Sequence, residues 1–509
     1  MDNTQEFVEH ISQAYNPKGD YIHLGAAMLN GETFADAAVK IPLKTMNRHG
    51  LIAGATGTGK SKTLQILAEN LSQKGVPVLL MDVKGDLSGI AKPSNGEEFL
   101  LERHKKLGFP FESSKSPVEF LTISEQNGVR LRATVSEFGP ILLSRILDVT
   151  PTQEGILAII FKYCDDHHLP LLDLKDLKKM LQYVTDEGRE TIENEYGRIS
   201  SASTGAILRK IVALEQQGAE RFFGERSFEV TDLTRKDENG HGYVNIMRLT
   251  DIQDKPKLFS TFMLSLLAEI YTTFPEEGDS DKPKLVLFID EAHLIFKEAS
   301  DALLDQIESI VKLIRSKGVG LYFVTQNPTD VPSEVLGQLG LKIQHALRAF
   351  TAKDRKAIKL SAENYPISKY YDTKNELTSL GIGEALVSAL DEKGRPSALA
   401  ATMLRAPMSR MDILTDSELE ELIFQSKLRS KYNEEIDRES AYELLNKKIE
   451  EAEAKEAKEK AEAEALERKK AVTTTSNSNS SKTQGAIIKV LTSATFIRGV
   501  MGVLNKLLK

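Results

Sequence analysis

The chain has 509 residues, of which 41% are hydrophobic and 28% are charged, and this composition is ordinary for a folded globular protein. Its one cysteine, Cys164, excludes an internal disulfide framework and a metal site built from cysteines. The net charge of −8 requires any DNA-binding surface to be a local basic patch, and the absence of tryptophan disfavours an aromatic platform for single strands.

The amino-terminal region, residues 1–45, is predicted to be a short strand-rich segment. Its first residues are polar and lack the apolar core of a secretory signal, so we expect a cytoplasmic protein. Apolar pieces between Tyr21 and Pro42 are broken at Asn30-Gly31, a pair typical of tight turns.

A phosphate-binding loop is predicted at residues 54–61, where Gly-Ala-Thr-Gly-Thr-Gly-Lys-Ser fits the pattern of a glycine, four residues and Gly-Lys-Ser. A short apolar stretch, 50–53, precedes the loop and a helical pattern, 61–71, follows it, so the strand–turn–helix context is present. The residues predicted to bind nucleotide are Gly54, Ala55, Thr56, Gly57, Thr58, Gly59, Lys60, Ser61 and Lys62.

Each part of this loop has a physical task. The glycines allow the backbone to turn its N–H groups toward a phosphate, and the following helix adds the positive end of its dipole. Lys60 is expected to reach the outer phosphates, and Ser61 to ligate Mg²⁺. ATP and Mg²⁺ are therefore the expected ligands, because no guanine-reading motif is evident.

The next buried strand is predicted at residues 75–82 and ends in a carboxylate. Ligands gather at the carboxyl ends of the strands in an open parallel sheet, so Asp82 and the nearby Asp86 are plausible neighbours of the nucleotide. A helix cap or a structural hydrogen bond to a loop is an equally good interpretation of each carboxylate.

A helical insertion is predicted at residues 137–225, because apolar residues recur there at helical spacing. It divides the nucleotide-binding core into a first part, 46–136, with a strand pair in 117–134, and a second part, 226–410. Its role is packing and shape, or subunit contacts. Cys164 lies within it and is expected to be buried.

The second motif is a buried strand, predicted at residues 284–289, that is followed directly by two acids. Asp290 is expected to hold Mg²⁺ through a water, and Glu291 to orient or deprotonate the attacking water. Such a pair alone is also compatible with a structural role, but its position after a phosphate-binding loop favours ATP hydrolysis.

Two further strands are predicted to end at the same edge of the sheet. One spans 320–327 and finishes with Thr325 and Gln326, which either sense the γ-phosphate or form a polar strand exit. The other spans 342–348 and ends in Arg348, and Thr351 then caps a helix. A closing hairpin is predicted at 384–404.

The composition changes past Pro407. Residues 411–472 are predicted to form a charged helical spacer, because 416–470 are mostly Glu, Lys, Ala and Leu. The Ser/Thr/Asn-rich stretch 473–484 is a predicted flexible linker. Residues 485–509 are predicted to form a basic amphipathic tail helix, which docks on this protein or pairs with copies of itself; contact with a membrane is less favoured.

The motifs in this order resemble the HerA/FtsK superfamily of RecA-like motor ATPases. They are Asn47-Arg-His before the loop, the loop itself, Met81-Asp-Val-Lys-Gly-Asp86, Phe288-Ile-Asp-Glu-Ala-His293 and Val324-Thr-Gln326. This set of motifs looks most like the HerA-like bacterial YjgR group. The resemblance covers residues 20–410 and includes the basic tail. The fold class is therefore predicted to be α/β, a RecA-like P-loop NTPase core with a mostly parallel sheet, a helical insertion and a C-terminal helical extension.

The resemblance also implies a homo-hexameric ring, ATP hydrolysis between subunits and DNA translocation. Such rings need a cation from the next subunit, and Arg315 matches the position where relatives carry an arginine, with Arg348 as its rival. The amino-terminal segment is too short for the full β-barrel of HerA proper.

Two functions of different classes stay open at this point. The first is an ATP-driven ring motor acting on double-stranded DNA as a translocase or helicase. The second is a nucleotide-switched assembly or scaffold ATPase that does not move DNA. A phosphotransferase is disfavoured by Glu291 and Gln326.

Overall fold

The computed structural model describes residues 3–278, 280–296, 301–349, 351–434, 436 and 438–474. The chain divides into two compact units, Met1–Leu444 and Leu445–Lys509. The predicted tail helix, 485–509, and all of the predicted linker after residue 474 lie outside the described residues.

A single sheet organises the first unit. In the described part of the chain it has twelve strands, which are β1 (Tyr21–Leu29), β2 (Glu32–Pro42), β3 (Gly50–Ala53), β4 (Val78–Asp82), β5 (Val118–Thr122), β6 (Val129–Arg130), β7 (Val244–Arg248), β8 (Leu285–Ile289), β9 (Val319–Thr325), β10 (Leu341–Gln344), β11 (Glu384–Ser388) and β12 (Ala400–Leu404). Their order across the sheet is β2-β1-β12-β11-β10-β3-β9-β8-β4-β7-β5-β6.

The direction of the strands divides this sheet into two parts. From β10 to β6 all neighbouring strands are parallel. The hairpins β1–β2 and β11–β12 join this parallel part as antiparallel strands at one side. The predicted amino-terminal strands thus extend the central sheet.

Helices cover the sheet and follow its strands. Those described are α1 (Asn3–Ala14), α2 (Lys60–Gln73), α3 (Glu98–Leu107), α4 (Val135–Leu147), α5 (Pro151–Asp166), α6 (Leu174–Tyr183), α7 (Arg189–Tyr196), α8 (Ser201–Glu215), α9 (Pro256–Thr273), α10 (His293–Phe296), α11 (Asp301–Ile314), α12 (Ser333–Leu336), α13 (Ala352–Glu363), α14 (Thr373–Ser379), α15 (Asp416–Gln425), α16 (Lys427–Tyr432) and α17 (Ala441–Thr474). Among these, none combines the length and the apolar character that a membrane span requires.

The apolar runs of the sequence explain the central strands. Every residue of β3, β4, β8 and β9 is buried, as expected of parallel strands covered on both faces. The pairing register of these strands aligns their carboxyl ends. Ala53 lies opposite both Thr325 and Gln344, and Met81 lies opposite Ile289. The carboxyl ends of β10, β3, β9, β8 and β4 therefore meet along one side of the sheet, which we call the loop edge.

One helix was not predicted, and one predicted helix needs correction. The polar start of the chain gave little signal, yet it forms α1, which buries Phe7 and Ile11 at a spacing of four residues. The predicted continuous helix over 416–470 is divided into α15, α16 and α17. Leu428 and Tyr432 of α16 are buried in the first unit. This part of the chain is therefore not a straight, exposed helix.

Candidate nucleotide-binding site

The phosphate-binding loop joins β3 directly to α2 at the loop edge. Gly57 and Gly59 have φ angles of 78° and 110°, which lie in the left-handed region that favours glycine. Lys60 begins α2, and Ser61 is half-buried in its first turn. The predicted strand, loop and helix are therefore all present, with the N–H groups of the helix start next to the loop.

Lys60 is buried and lies inside the loop. Its Nζ donates to the carbonyl oxygens of Gly54 at 2.6 Å and Ala55 at 3.0 Å. Burial, followed by the positive charge of Lys84, lowers the pKa of Lys60, and the carboxylates of Glu291 and Asp290 oppose that shift. The charges of Lys84, Glu291 and Asp290 therefore lie close enough to act on Lys60.

The segment after β10 holds the loop from the other side. The N–H of His345 donates to the carbonyl of Ala53 at 2.7 Å, and the N–H of Ala55 donates to the carbonyl of Ala346 at 2.8 Å. His345 Nε2 also lies 2.9 Å from the hydroxyl of Thr63 in α2. Burial and Lys60 lower the pKa of this histidine to about 4, so the ring is neutral near pH 7. Sequence reasoning placed His345 inside a strand and missed this contact.

The two predicted acids follow β8 at the same edge. Asp290 and Glu291 are both buried, and Asp290 Oδ1 accepts a hydrogen bond from the N–H of Glu291 at 2.9 Å. Glu291 has a φ angle of 48°, which is uncommon for a residue with a Cβ. This conformation turns the chain sharply between the strand and α10, and strain of this kind is often found at functional sites.

Lys84 is the residue that sequence reasoning overlooked. Its Nζ lies 2.6 Å from Glu291 Oε1 and 3.6 Å from Asp290 Oδ2. On the other side His293 Nδ1 lies 3.1 Å from Glu291 Oε2, at ion-pair distance but without hydrogen-bond geometry. The only signal for Lys84 in the sequence was a cation between two acids immediately after a buried strand.

The electrostatics of this group follow from burial and proximity. Burial raises the pKa of Asp290 to about 6, with Lys84 lowering it and Glu291 raising it further. For Lys84, burial works against the charged form, but the attraction of Asp290 and Glu291 prevails and raises its pKa. Lys84 thus compensates two carboxylates that would otherwise repel each other in a buried place.

Asp82 has a structural task at the end of β4. Its carboxylate accepts hydrogen bonds from the N–H groups of Gly85 at 2.7 Å, Asp86 at 3.2 Å and Leu87 at 3.3 Å. Burial, with the charge of Asp86, raises the pKa of Asp82 to about 7. This carboxylate therefore shapes the loop that carries Lys84, in agreement with the structural interpretation.

Thr325 and Gln326 end β9 between the two motifs. The carbonyl of Thr325 accepts the N–H of Gly54 at 3.3 Å, and its hydroxyl donates to Asp330 at 2.7 Å. Gln326 is exposed and shares with His293 a cleft of about 560 Å³. Gln326 thus shares a cleft with His293, the residue that approaches Glu291, whereas the Thr325 hydroxyl donates to Asp330.

The two candidate arginines lie at different sides of the sheet. Arg315 is exposed in a short 3₁₀ turn that precedes β9, at the amino ends of the strands. At about 3.3 Å per residue, β9 separates this turn from the loop edge by roughly 20 Å. Arg348 is also exposed but follows β10 at the loop edge, where its Nη1 contacts the carbonyl of Thr378 at 3.5 Å.

A pocket of about 370 Å³ opens beside the loop, between α2, α3 and the turn before β11. Gly59 and Lys62 line it together with the largely exposed apolar side chains of Phe99 and Ile382. The Lys62 amine donates to the carbonyl of Met411 at 2.5 Å, which anchors one wall of the pocket. A flat apolar group next to the loop fits this pocket.

The residues at the loop edge also fit a magnesium ion. Mg²⁺ is usually bound by one or two carboxylates together with substrate phosphates, and seldom by a cage of protein ligands. The part of the chain that the structure describes contains no cluster of three or more His, Cys, Asp or Glu suited to a metal. The Ser61 hydroxyl and the Asp290 carboxylate are the hard oxygen donors available for such a shared site.

Comparisons with known proteins agree with this geometry. A family model described as "Helicase HerA-like C-terminal" matches residues 28–506. The DNA double-strand break repair helicase HerA of Saccharolobus solfataricus is 27% identical over 387 residues, which are 74% of this chain and 68% of that protein. The protein of the same name from Sulfolobus acidocaldarius is 24% identical over 361 residues, 69% of this chain and 64% of that protein. The chain thus spans about two thirds of the length of these relatives.

A solved structure shares the fold. The bacterial conjugative coupling protein TrwBdeltaN70 aligns with a TM-score of 0.52 at 15% identity, covering 80% of this chain and 94% of that chain. Together with the parallel sheet and the loop at its edge, this likeness confirms the predicted α/β, RecA-like P-loop fold.

Proposed function

Because the chain belongs to the helicase HerA-like C-terminal family, we propose that it hydrolyses ATP at the loop edge and uses the energy to move along double-stranded DNA. One observation carries the hydrolytic part. Lys84 lies at ion-pair distance from both Glu291 and Asp290, and the charges of all three act on the buried Lys60 of the loop. The names of the relatives, which are helicases, favour a motor over a scaffold.

The chain's own residues divide the work of hydrolysis. The N–H groups of the loop and Lys60 hold the phosphates, which requires Lys60 to exchange its contacts with the carbonyls of Gly54 and Ala55 for phosphate oxygens. Glu291 accepts the proton of the attacking water, and Gln326 helps to orient that water. Ser61 and Asp290 are the residues that would hold a magnesium ion, and that ion would supply positive charge to offset the charge of the phosphates.

The base and ribose of ATP fit the pocket beside the loop. Phe99 and Ile382 offer apolar contact to a flat base, and the pocket begins at Gly59 and Lys62, where the phosphates would end. Because Gly59 of the loop also lines the pocket, one nucleotide bound at the loop would extend into the pocket.

The position of Arg315 supports assembly into a ring. It lies roughly 20 Å from the loop edge of its own sheet, which is beyond the reach of an arginine side chain. In a head-to-tail ring the amino edge of one subunit faces a different surface of the next, so Arg315 is placed to serve a neighbour. We assign Arg348, at the loop edge, to its own subunit. A homo-hexamer is the proposed ring.

The test of this proposal is the effect of DNA on ATP turnover. Purified full-length chain is mixed with ATP and Mg²⁺, and phosphate release is followed without DNA, with linear duplex DNA and with single strands. We expect duplex DNA to raise kcat several-fold and to do so less strongly as salt increases. Lys60→Ala serves as the control and should lack turnover under every condition.

Two results would contradict the proposal in different ways. Turnover by Lys60→Ala equal to that of the unaltered chain would remove the assigned site. Turnover that duplex DNA does not change at any salt concentration would reject the motor and leave an ATPase of the scaffold type.

A further inference from the structure

Helix α13 presents a face of positive charge to solvent. Lys353, Arg355, Lys356 and Lys359 are all exposed, whereas Ile358 is buried on the opposite side. At 3.6 residues per turn these four cations fall within an arc of about 160°. We call them the basic helix face. It stands out because the chain as a whole carries a net charge of −8.

The cations of this face are not used to stabilise the fold. In the described residues none of the four has an ion-pair partner, whereas Lys178 and Lys431 on other helices are paired with Glu215 and Asp232 at 2.7 and 2.8 Å. Like charges three or four residues apart on a helix repel each other. An external anion removes that repulsion.

The same helix is connected to the phosphate-binding loop. It follows β10 and the segment whose His345 and Ala346 bond the two flanks of the loop. It also packs against the 3₁₀ turn Pro328–Asp330, where Asp330 accepts the hydroxyl of Thr325 at the end of β9. Helix α13 is therefore linked to the nucleotide site by the chain that leads back to β10 and by its packing against this turn.

From this arrangement we propose that the basic helix face binds the phosphate backbone of double-stranded DNA and that this contact is relayed to the loop through β10. The proposal rests on the proposed function, since it names where the polymer is held. A membrane surface is a poorer occupant, because the cations are not backed by the apolar stripe with which interfacial helices insert. A row of cations on a rigid helix instead suits regularly spaced phosphates.

The experiment compares two sets of matched substitutions. Lys353, Lys356 and Lys359 are replaced by glutamine in one variant, and Lys455, Lys458 and Lys460 of the exposed helix α17 are replaced by glutamine in the other. Both lose three charges and keep residues that favour helix. Binding of a fluorescent 30-base-pair duplex is measured by anisotropy over a range of salt, with ATPase rates and oligomer size measured in parallel.

We expect the α13 variant to bind duplex at least tenfold more weakly. Its salt dependence, the slope of log Kobs against log salt, should fall by about 2 to 3, because each phosphate contact contributes about 0.9. Its ATPase rate without DNA should be unchanged, while stimulation by DNA is lost. The α17 variant should behave like the unaltered chain, and replacement of the same three α13 lysines by arginine should restore binding.

Other outcomes overturn the inference. If the α13 variant binds duplex with unchanged affinity and salt dependence, the DNA lies elsewhere while the proposed motor still stands. If the variant changes oligomer size, the basic helix face is a contact between subunits. If the unaltered chain binds no duplex and is not stimulated by it, the proposed function itself fails together with this inference.

Discussion

At the scale of single residues, the contact between Lys84 and Glu291 decides whether the proposed general base is held in place. A carboxylate next to another buried carboxylate is pushed away unless a cation lies between them. Lys84 fills that position, at 2.6 Å from Glu291 and 3.6 Å from Asp290. After burial, the positive charge of Lys84 is the largest cause of the lowered pKa of Lys60. We therefore expect Lys84 to be a positioning residue for hydrolysis.

The corresponding prediction is that Lys84→Met lowers kcat by on the order of tenfold or more while the KM for ATP changes little. General-base catalysis contributes about 10²–10⁴-fold to a rate, and a displaced Glu291 loses much of that contribution. The phosphates, held mainly by the loop and Lys60, keep their affinity. Steady-state ATPase kinetics give both constants.

The control for this prediction is Lys115→Met, since Lys115 is exposed and lies in a different loop. Lys84→Arg should retain more activity than Lys84→Met because it keeps the positive charge. A Lys84→Met variant with normal kcat, or with a large rise in KM and normal kcat, would show that Lys84 does not position Glu291.

The residues of the site differed in how well the sequence revealed them. Lys60 and the two acids were predicted because a glycine loop and a strand ending in carboxylates are local patterns. Lys84 and His345 were missed because their roles exist only once β4, β8 and β10 are aligned at the loop edge. A lysine or histidine just past a strand carries no local mark of the side chains that it will meet.

At the scale of elements, α2 is fixed at its middle by the segment 405–411, which follows β12. The buried Glu69 of α2 accepts hydrogen bonds from the N–H of Met408 at 2.6 Å, the N–H of Ser409 at 3.1 Å and the hydroxyl of Ser409 at 2.7 Å. Burial raises the pKa of Glu69 to about 7 despite these donors. The helix that begins at Lys60 thus depends on a carboxylate three turns into the element.

We predict that Glu69→Gln destabilises the first unit by about 1–3 kcal/mol, the usual cost of leaving a buried polar group without its partner. An amide has one oxygen, so one N–H donor of Met408 or Ser409 would face an NH₂ group. Ser409→Ala removes a donor and leaves the carboxylate, and should cost less. Thermal unfolding followed by circular dichroism gives the ranking.

The exposed substitution Glu453→Gln on α17 is the control, and its unfolding temperature should not change. A Glu69→Gln variant as stable as the unaltered chain would mean that the carboxylate is not needed to hold the segment 405–411 on α2.

Elements with long apolar runs were predictable, while their order in the sheet was not. The strands before the loop and before the two acids were read from consecutive apolar residues. The position of β9 between β3 and β8, which brings Thr325 next to the loop, follows from packing of distant segments. Likewise, within the predicted helical insertion no apolar stripe marked α7, since among its eight residues only Ile192 is buried.

At the scale of the whole molecule, the separation of the two arginines suggests that one active site is shared by two subunits. Arg315 lies at the amino edge of the sheet and Arg348 at the loop edge. A closed ring with one repeated heterologous interface is the simplest assembly that brings the amino edge of one subunit to the loop edge of another. In such a ring the two residues would serve different sites, although each was a candidate for the same role.

This arrangement predicts complementation between inactive variants. Arg315→Ala and Lys60→Ala are each expected to hydrolyse ATP poorly, but in mixed rings an intact loop from the first meets an intact Arg315 from the second. Equal mixing should restore up to about one quarter of the normal rate if neighbours assort at random.

Arg348→Ala mixed with Lys60→Ala should restore nothing, because Arg348 serves its own loop. The measurement is phosphate release after co-assembly. If the Arg348 mixture restores activity and the Arg315 mixture does not, the roles of the two arginines are reversed. Normal activity of Arg315→Ala alone would show that Arg315 is not needed for hydrolysis.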